Sequence, residues 1–255
     1  MMKIHLADLG TRSRHPHHNH NMIRGTFEVH LITKPALEPE LFGYVTDLLH
    51  SQSPHVIRPR PTCARSLYGD HPVQPMLTFF TTGTVDGVTK LVQEIEHDME
   101  KHGLPVLRTK IEAMVHNEGV PPSLPDAEGT NYYEFHFKVD ITGIADWNRL
   151  VKIITPYGAH LFFNPYSKTL TPIVTIRRYT SLEDLEGTYA DLHYLITEAG
   201  FTVSDPEREY SVYDSNVDLD RNWLFRESPS NFITEVTPQM LFAGKIDPST
   251  TSESR

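Results

Sequence analysis

Two histidines and two glutamates recur at matching places in the two halves of this chain, and they are the residues best suited to chemistry. Phe27-Glu28-Val29-His30 has its counterpart in Tyr133-Glu134-Phe135-His136, His55-Val56 in His160-Leu161, and Glu112 in Glu209. Neutral imidazole is both a metal ligand and a proton carrier near pH 7. Two His with one carboxylate form the ligand set of a metal site that keeps open positions for oxygen and substrate. His30, His55 and Glu112 make one such set; His136, His160 and Glu209 make the other. The cofactor this implies is a divalent metal, with Fe(II) the most concrete case. The competing reading is a buried His paired with a Glu across strands, kept in both halves for folding alone. Charged groups on a covered sheet face are costly unless paired or ligating, which favours a functional site.

The elements that must position these residues follow from the duplication itself. Pro75–Glu112, moved forward by 97 positions, lies without a gap on Pro172–Glu209. Pro75 meets Pro172, Thr78 meets Thr175, Gly103 meets Gly200 and Glu112 meets Glu209. Alternation predicts a strand over Thr26–Thr33, and helical spacing predicts helices over Pro39–Leu49, 84–102 and Ile144–Ile154. Ser181 and Asp184 open a fourth helix bearing Leu185, Leu192 and Ile196, and glycines 103 and 200 stand at helix ends. The second strand is predicted as His55–Pro59, then a long loop over 59–75, then strands over Met76–Thr82 and Pro105–Met114. The second half repeats the order with strands Tyr132–Asp140, from His160, Ile173–Tyr179 and Phe201–Tyr213.

Each half therefore reads βαββαβ, the ferredoxin-like pattern. The fold class is α+β: two fused ferredoxin-like modules whose antiparallel sheets pack by pseudo-twofold symmetry around a barrel-like interior. The expected divisions are a disordered leader (1–25), repeat 1 (26–117), a linker (118–130), repeat 2 (131–216) and a C-terminal extension with a mobile end (217–255).

Strand parity then sorts the side chains. Phe27, Val29 and Leu31 must face the helices, so Glu28, His30, Glu134 and His136 face the open side. Thr78, Thr175 and Arg177 join them, as do Lys110, Glu112 and, by repeat, Glu209; Arg208 stands where the first half has Ile111. The parity of His55 and His160 cannot be read. Glu28 and Glu134 are candidates for proton transfer, and Arg177 for anchoring an acidic substrate. Thr78 and Thr175 are candidate substrate contacts. Arg58, between prolines with Arg60, could hold a carboxylate or phosphate, and His71 on the long loop could cover the site.

Net charge is -10, which argues against a protein that grips nucleic acid through its phosphates. The single cysteine, Cys63, excludes an internal disulfide, and no apolar run reaches the length of a membrane span. A cytoplasmic protein with a small-molecule ligand is expected; oligomeric state is open.

Tyr132-Tyr133-Glu134-Phe135-His136-Phe137, with His71-Pro72 and Pro75-Met76, resembles motifs of the DOPA 4,5-dioxygenase family. That resemblance implies a ferredoxin-like fold, iron and catechol ring-opening, although Glu134 stands where that family has a second His. Most of the chain also resembles an uncharacterised microbial group with Glu-x-His on its first strand and an ending like Val212-Tyr213-Asp214-Ser215-Asn216; no activity is implied. The His-x-Thr/Ser motif of the 2H phosphoesterases is missing after both His30 and His136. The expected function is a metal-dependent enzyme acting on a small molecule, a non-haem iron dioxygenase being the concrete version. The alternative is a non-catalytic small-ligand-binding or regulatory module with a buried His/Glu network.

Overall fold

The computed structural model describes residues 23–51, 54–66, 69–124, 131–167, 171–221 and 223. The expected leader, apart from its last three residues, and the chain beyond 223 lie outside them.

The first half runs β1 (Arg24–Ile32), α1 (Glu38–His50), β2 (Ile57–Ser66), β3 (Val73–Thr84), α2 (Val85–Lys101) and β4 (Arg108–Met114). The second runs β5 (Tyr132–Lys138), α3 (Ile144–Ile154), β6 (His160–Phe163), β7 (Ile173–Arg178), α4 (Leu182–Glu198) and β8 (Glu207–Asp214). The helices begin where their sequences supply caps. The Thr84 hydroxyl accepts from Gly87 N–H, and the Ser181 hydroxyl accepts from Asp184 N–H. Beyond α2 and α4 the chain turns through Gly103 (φ +76°) and Gly200 (φ +87°), a left-handed conformation that costs glycine least.

Within each half the strands lie in the order β4-β1-β3-β2 and β8-β5-β7-β6, the ferredoxin-like arrangement, so the fold is α+β with two such modules. The two sheets do not stack face to face. They join edge to edge, β4 to β8 and β2 to β6, into one closed barrel of eight strands. The β4–β8 seam spans Lys110 to Met114, whereas β2–β6 is joined only at Arg65↔Phe163 and Ser66↔Phe162. The rest of β2 carries Pro59 and Pro61 on the stretch that β6 leaves uncovered, where a missing N–H costs little.

The apolar core is the layer between strands and helices. Phe27, Val29, Leu31, Leu77 and Phe79 meet Val88, Val92, Ile95 and Met99 of α2; Phe135, Phe137, Val174 and Ile176 meet Leu185, Leu192 and Ile196 of α4. Because alternation of side chains is strict, this outward apolar set forces the polar set of the same strands into the barrel.

The strands differ from the sequence reading in three places. Eleven residues of the expected long loop are strand, because β2 extends to Ser66 and β3 starts at Val73. Of the prolines that suggested a loop, Pro59 and Pro61 sit on the stretch of β2 that β6 leaves uncovered, and Pro75 lies within β3 opposite Cys63. β4 begins at Arg108 and β8 at Glu207, several residues later than expected, since the chain after each helix must first travel back across the sheet.

One end of the barrel is closed by the residues after β8. Leu219 packs on Ile32 and Met76, and its carbonyl accepts from Gln74 Nε2 at 3.0 Å. Trp223 is seated against Gly69, where a Cβ would fall 2.0 Å from the indole Cδ1, on a backbone with φ +94°. Gly69→Ala therefore adds both a clash and left-handed strain, with an expected loss of roughly 1–3 kcal/mol. Denaturant unfolding checks this, together with a red shift of Trp emission; an unchanged midpoint and spectrum would show that Trp223 does not depend on this close approach.

Candidate functional site

The barrel interior holds a cavity of about 340 Å³ lined by polar side chains from both halves. Glu28 and His30 of β1, Thr78 of β3, Glu134 and His136 of β5, Arg177 of β7 and Glu209 of β8 all line it, as strand parity requires. Arg208 faces the helices instead, pairing with Glu186 of α4 at 2.9 Å and lying over the Phe135 and Tyr189 rings. This fixes Glu209 as an interior residue. Asn164, Ser167, Thr171 and the half-exposed Arg60 continue the lining along the sparsely joined β2–β6 seam, which places the opening there.

Each half builds the same local unit. His30 Nδ1 is 2.9 Å from the Thr78 hydroxyl and its Nε2 is 3.3 Å from Glu112. His136 Nδ1 is 2.7 Å from the Thr175 hydroxyl and its Nε2 is 3.5 Å from Glu209. The partners are adjacent in register: His30↔Thr78 and Glu28↔Glu112 in one half, His136↔Thr175 and Glu134↔Glu209 in the other.

The two units carry different charge. Burial raises the Glu112 carboxyl, but Lys110 and the bond from His30 overcome it and bring it to about 2. Burial likewise opposes ionisation of Glu134, and Arg177 and Lys110 hold it well below the usual carboxylate range. Glu209 is raised well above that range by burial, reinforced by Glu112 and Glu28, which favours its protonated form. Burial lowers both His136 and His160, the latter to about 4, so both imidazoles are neutral.

Lys110 bridges the halves, with Nζ 2.8 Å from Glu112 and bonded to Glu134. Arg177 joins Glu134 (3.0 Å) to Asp220 (2.8 Å), and Arg108 joins Asp220 to Asp214. The Tyr132 hydroxyl donates to Asp214, and its ring lies 4.0 Å beneath the Arg177 guanidinium.

The metal triads expected from sequence are not assembled as written. His55 is exposed in the turn before β2, away from His30 and Glu112. Register gives the reason: Arg60 pairs with Thr78 as His160 pairs with Thr175, so the structural counterpart of His160 is Arg60. The irregularity between Ile57 and Arg60, with Arg58 at φ +52°, displaces the two sequences against each other. Arg58 is exposed on that irregularity, and His71 is exposed in the turn before β3; neither reaches the cavity lining. His160 is inside, packed on Phe162 and Trp223, with Nδ1 lacking a hydrogen-bond partner.

Among the described residues the donors that do converge are Glu112, Glu134 and His136, whose ligand atoms lie within 4.8 Å of one another. They mix the two halves, and their chemistry suits a divalent ion. The Lys110 ammonium already sits on both carboxylates, however, so a metal would have to displace it. Cys63 is buried and its thiol is pushed up to about 12 by burial, which makes it a poor ligand or nucleophile.

Of the two arginines flanked by prolines, Arg60 lines the cavity and Arg58 does not; Arg108, Asp214, Asp220 and Trp223 have no place among the site residues expected from sequence. Alternation along Arg108-Thr109-Lys110-Ile111-Glu112 could have found Arg108, because Ile111 fixes the outward parity. Nothing in the sequence marks Asp220.

Neither a protein-family model nor a curated protein sequence matches the chain, so the DOPA 4,5-dioxygenase resemblance gains no support from them. Solved structures that resemble it include a candidate monooxygenase from Fusobacterium nucleatum subsp. nucleatum, at 7% identity, covering 80% of this chain and 99% of that one, with a TM-score of 0.30. A candidate chlorite dismutase matches at 10% identity, 78% and 100% coverage and TM-score 0.25. A dye-decolorizing protein from V. cholerae matches at 9% identity, 74% and 94% coverage and TM-score 0.23. Likenesses at this level carry no argument about substrate or reaction.

The His160 shift has a definite sign. Its folded value lies below the unfolded value, so its contribution is full above about pH 6.5 and is lost as pH falls toward 4, roughly 3 kcal/mol in all. Glu209 runs oppositely: its folded value is raised, so its contribution is present below pH ~4.5 and lost as pH rises. The His160 contribution is therefore read as a difference. Denaturant unfolding of wild type and His160→Asn at pH 7 and pH 5 should show a smaller acid loss in the variant; equal losses would mean that His160 is not held neutral by burial.

Proposed function

We propose that this protein is an enzyme that moves protons on a small molecule held inside the barrel. The reading is carried by one observation: two equivalent His–Glu pairs, whose histidines line a single cavity, have carboxyls shifted in opposite directions, Glu112 down and Glu209 up. On the first side, ionised Glu112 can only accept, so His30 donates Nε2–H to it and Nδ1 is left basic. A buried carboxylate that fixes an imidazole tautomer and steadies its protonated form is the usual support for a general base. On the second side, Glu209 holds a proton beside neutral His136. Environments that push like groups apart in this way separate the acid role from the base role.

The reaction class is a proton shift. His30 takes a proton from one atom of the substrate, and Glu209 supplies one to another, directly or through His136. Glu28 and Glu134, held by Arg60 and Arg177, set the field rather than react. Arg177, buried between two acids, is a structural cation and not the substrate anchor in this reading.

The metal-dependent reading is favoured by one specific observation, the convergence of Glu112, Glu134 and His136. Incubation with Fe(II), Mn(II) or Zn(II), followed by desalting and elemental analysis, separates the two. Proton transfer predicts substoichiometric retention and turnover that survives chelation. Stoichiometric metal that disappears in Glu134→Gln would replace this reading by the metal one.

In a turnover screen of small organic compounds, His30→Asn should lower the rate by roughly 10²–10⁴-fold with the fold retained by circular dichroism. A rate equal to wild type in both His30→Asn and His136→Asn would overturn the proposal.

A further inference from the structure

The two halves share Glu, His and Thr, yet the cavity wall differs beside the shared threonines. Where the second half has His160 beside Thr175, the first has Arg60 beside Thr78. Arg60 differs from the other interior cations in its surroundings as well. Arg108, Lys110 and Arg177 are each clamped between two acids, with side chains 3%, 9% and 3% exposed. Arg60 meets one carboxylate, through a single bond from Nη2 to Glu28 at 2.8 Å, and is 43% exposed at the cavity opening.

A guanidinium has five N–H donors in a rigid fork that matches a carboxylate bidentately. Only one of the five is used by Glu28, while the stem is steadied by the Phe80 ring, 5.3 Å from the guanidinium centre. The equivalent of Phe80 in the second half is Arg177, which neutralises Glu134 from the adjacent strand. The cation that meets Glu28 thus stands on β2, at the half-open seam, whereas the one that meets Glu134 stands on β7, the counterpart of β3.

We propose that Arg60 is the anchor for the acidic group of the substrate, and that this protein acts on a small organic acid. The carboxylate lies on the free edge of the Arg60 fork, and the body of the molecule extends past His30 toward Phe162 and His136. Phe162 is half-buried, lines the same cavity and stands edge-on to His136 at 5.9 Å, which gives an apolar wall beyond the charged entrance. This rests on the cavity being the substrate site, but not on proton transfer being the reaction. It gives the two halves different side chains at one equivalent place: Arg60, for recognition, in the first and the buried imidazole of His160 in the second.

The test is ¹⁹F NMR titration of the full chain with 4-fluorobenzoate, with neutral 4-fluorobenzamide and with inorganic phosphate in competition. The acid should bind, the amide should bind roughly tenfold or more weakly, and Arg60→Gln should lose roughly tenfold or more for the acid alone. Because that variant strips a buried carboxylate of its partner, the double variant Glu28→Gln/Arg60→Gln is run beside it; it should lose the acid equally. Displacement by phosphate at equal concentration would put a phosphate ester in place of a carboxylic acid and overturn the assigned class. Equal affinity for acid and amide, unchanged affinity in the double variant, or no binding to wild type would each overturn the anchor. A turnover screen that fails while Arg60-dependent binding persists would overturn the proton-transfer reading and leave the anchor standing.

Discussion

A chain of buried ion pairs holds the interior of this barrel together. It runs from Asp214 through Arg108, Asp220, Arg177, Glu134 and Lys110 to Glu112, and there it meets His30. Each charge is expensive to remove from water, and each is offset by neighbours that β4, β5, β7, β8 and the turn after β8 hold in place. Removing one link leaves an uncompensated charge with no solvent to reach it, which costs far more than a pair at the surface. The chain therefore couples the geometry of β4, β5 and β7 to the turn after β8, and a shift in any of them would be felt at the histidines.

The same chain sets the protonation states that the proposed chemistry needs. Lys110 and Arg177 together offset Glu112 and Glu134, and nothing comparable is left for Glu209, the remaining acid of the central group. Two copies of one module would otherwise give two identical sites. The asymmetry arises because Lys110 comes from the first half alone, and its position is occupied in the second by Glu207. The two modules share a scaffold, and this unequal cation shifts their carboxyls in opposite directions, Glu112 down and Glu209 up.

Closure of the barrel matters as much as its charge. Val217–Asp220 and Trp223 cover one end with Leu219, Asp220 and the indole, while the β2–β6 seam stays joined by only two residue pairs. One end sealed and one side sparsely joined leave a cavity with a definite entrance, and Arg60 stands at it. A stronger β2–β6 seam would close the barrel more completely and remove the cavity's access to solvent. The prolines of β2 oppose that, since they cannot donate to a further strand.

The sequence by itself determined the module and its repetition. Apolar alternation in Phe27–Leu31 and Phe135–Phe137, with the helical stripes of α2 and α4, admits only one assignment of faces, and that assignment sends Glu28, His30, Glu134 and His136 inward. Local periodicity is enough for this, because each strand's parity is fixed by its own apolar residues. Tertiary structure alone decided which inward residues meet. His55 matched His160 in sequence, but the irregularity at Arg58 shifts the register, so Arg60 takes that place and His55 is left outside. Asp220 and Trp223 enter the site from a segment with no periodic signal, and the cluster of Glu112 with Glu134 and His136 crosses between halves. Contacts between strands distant in the chain depend on barrel closure and on bulges, and neither leaves a trace in the spacing of residues along one strand.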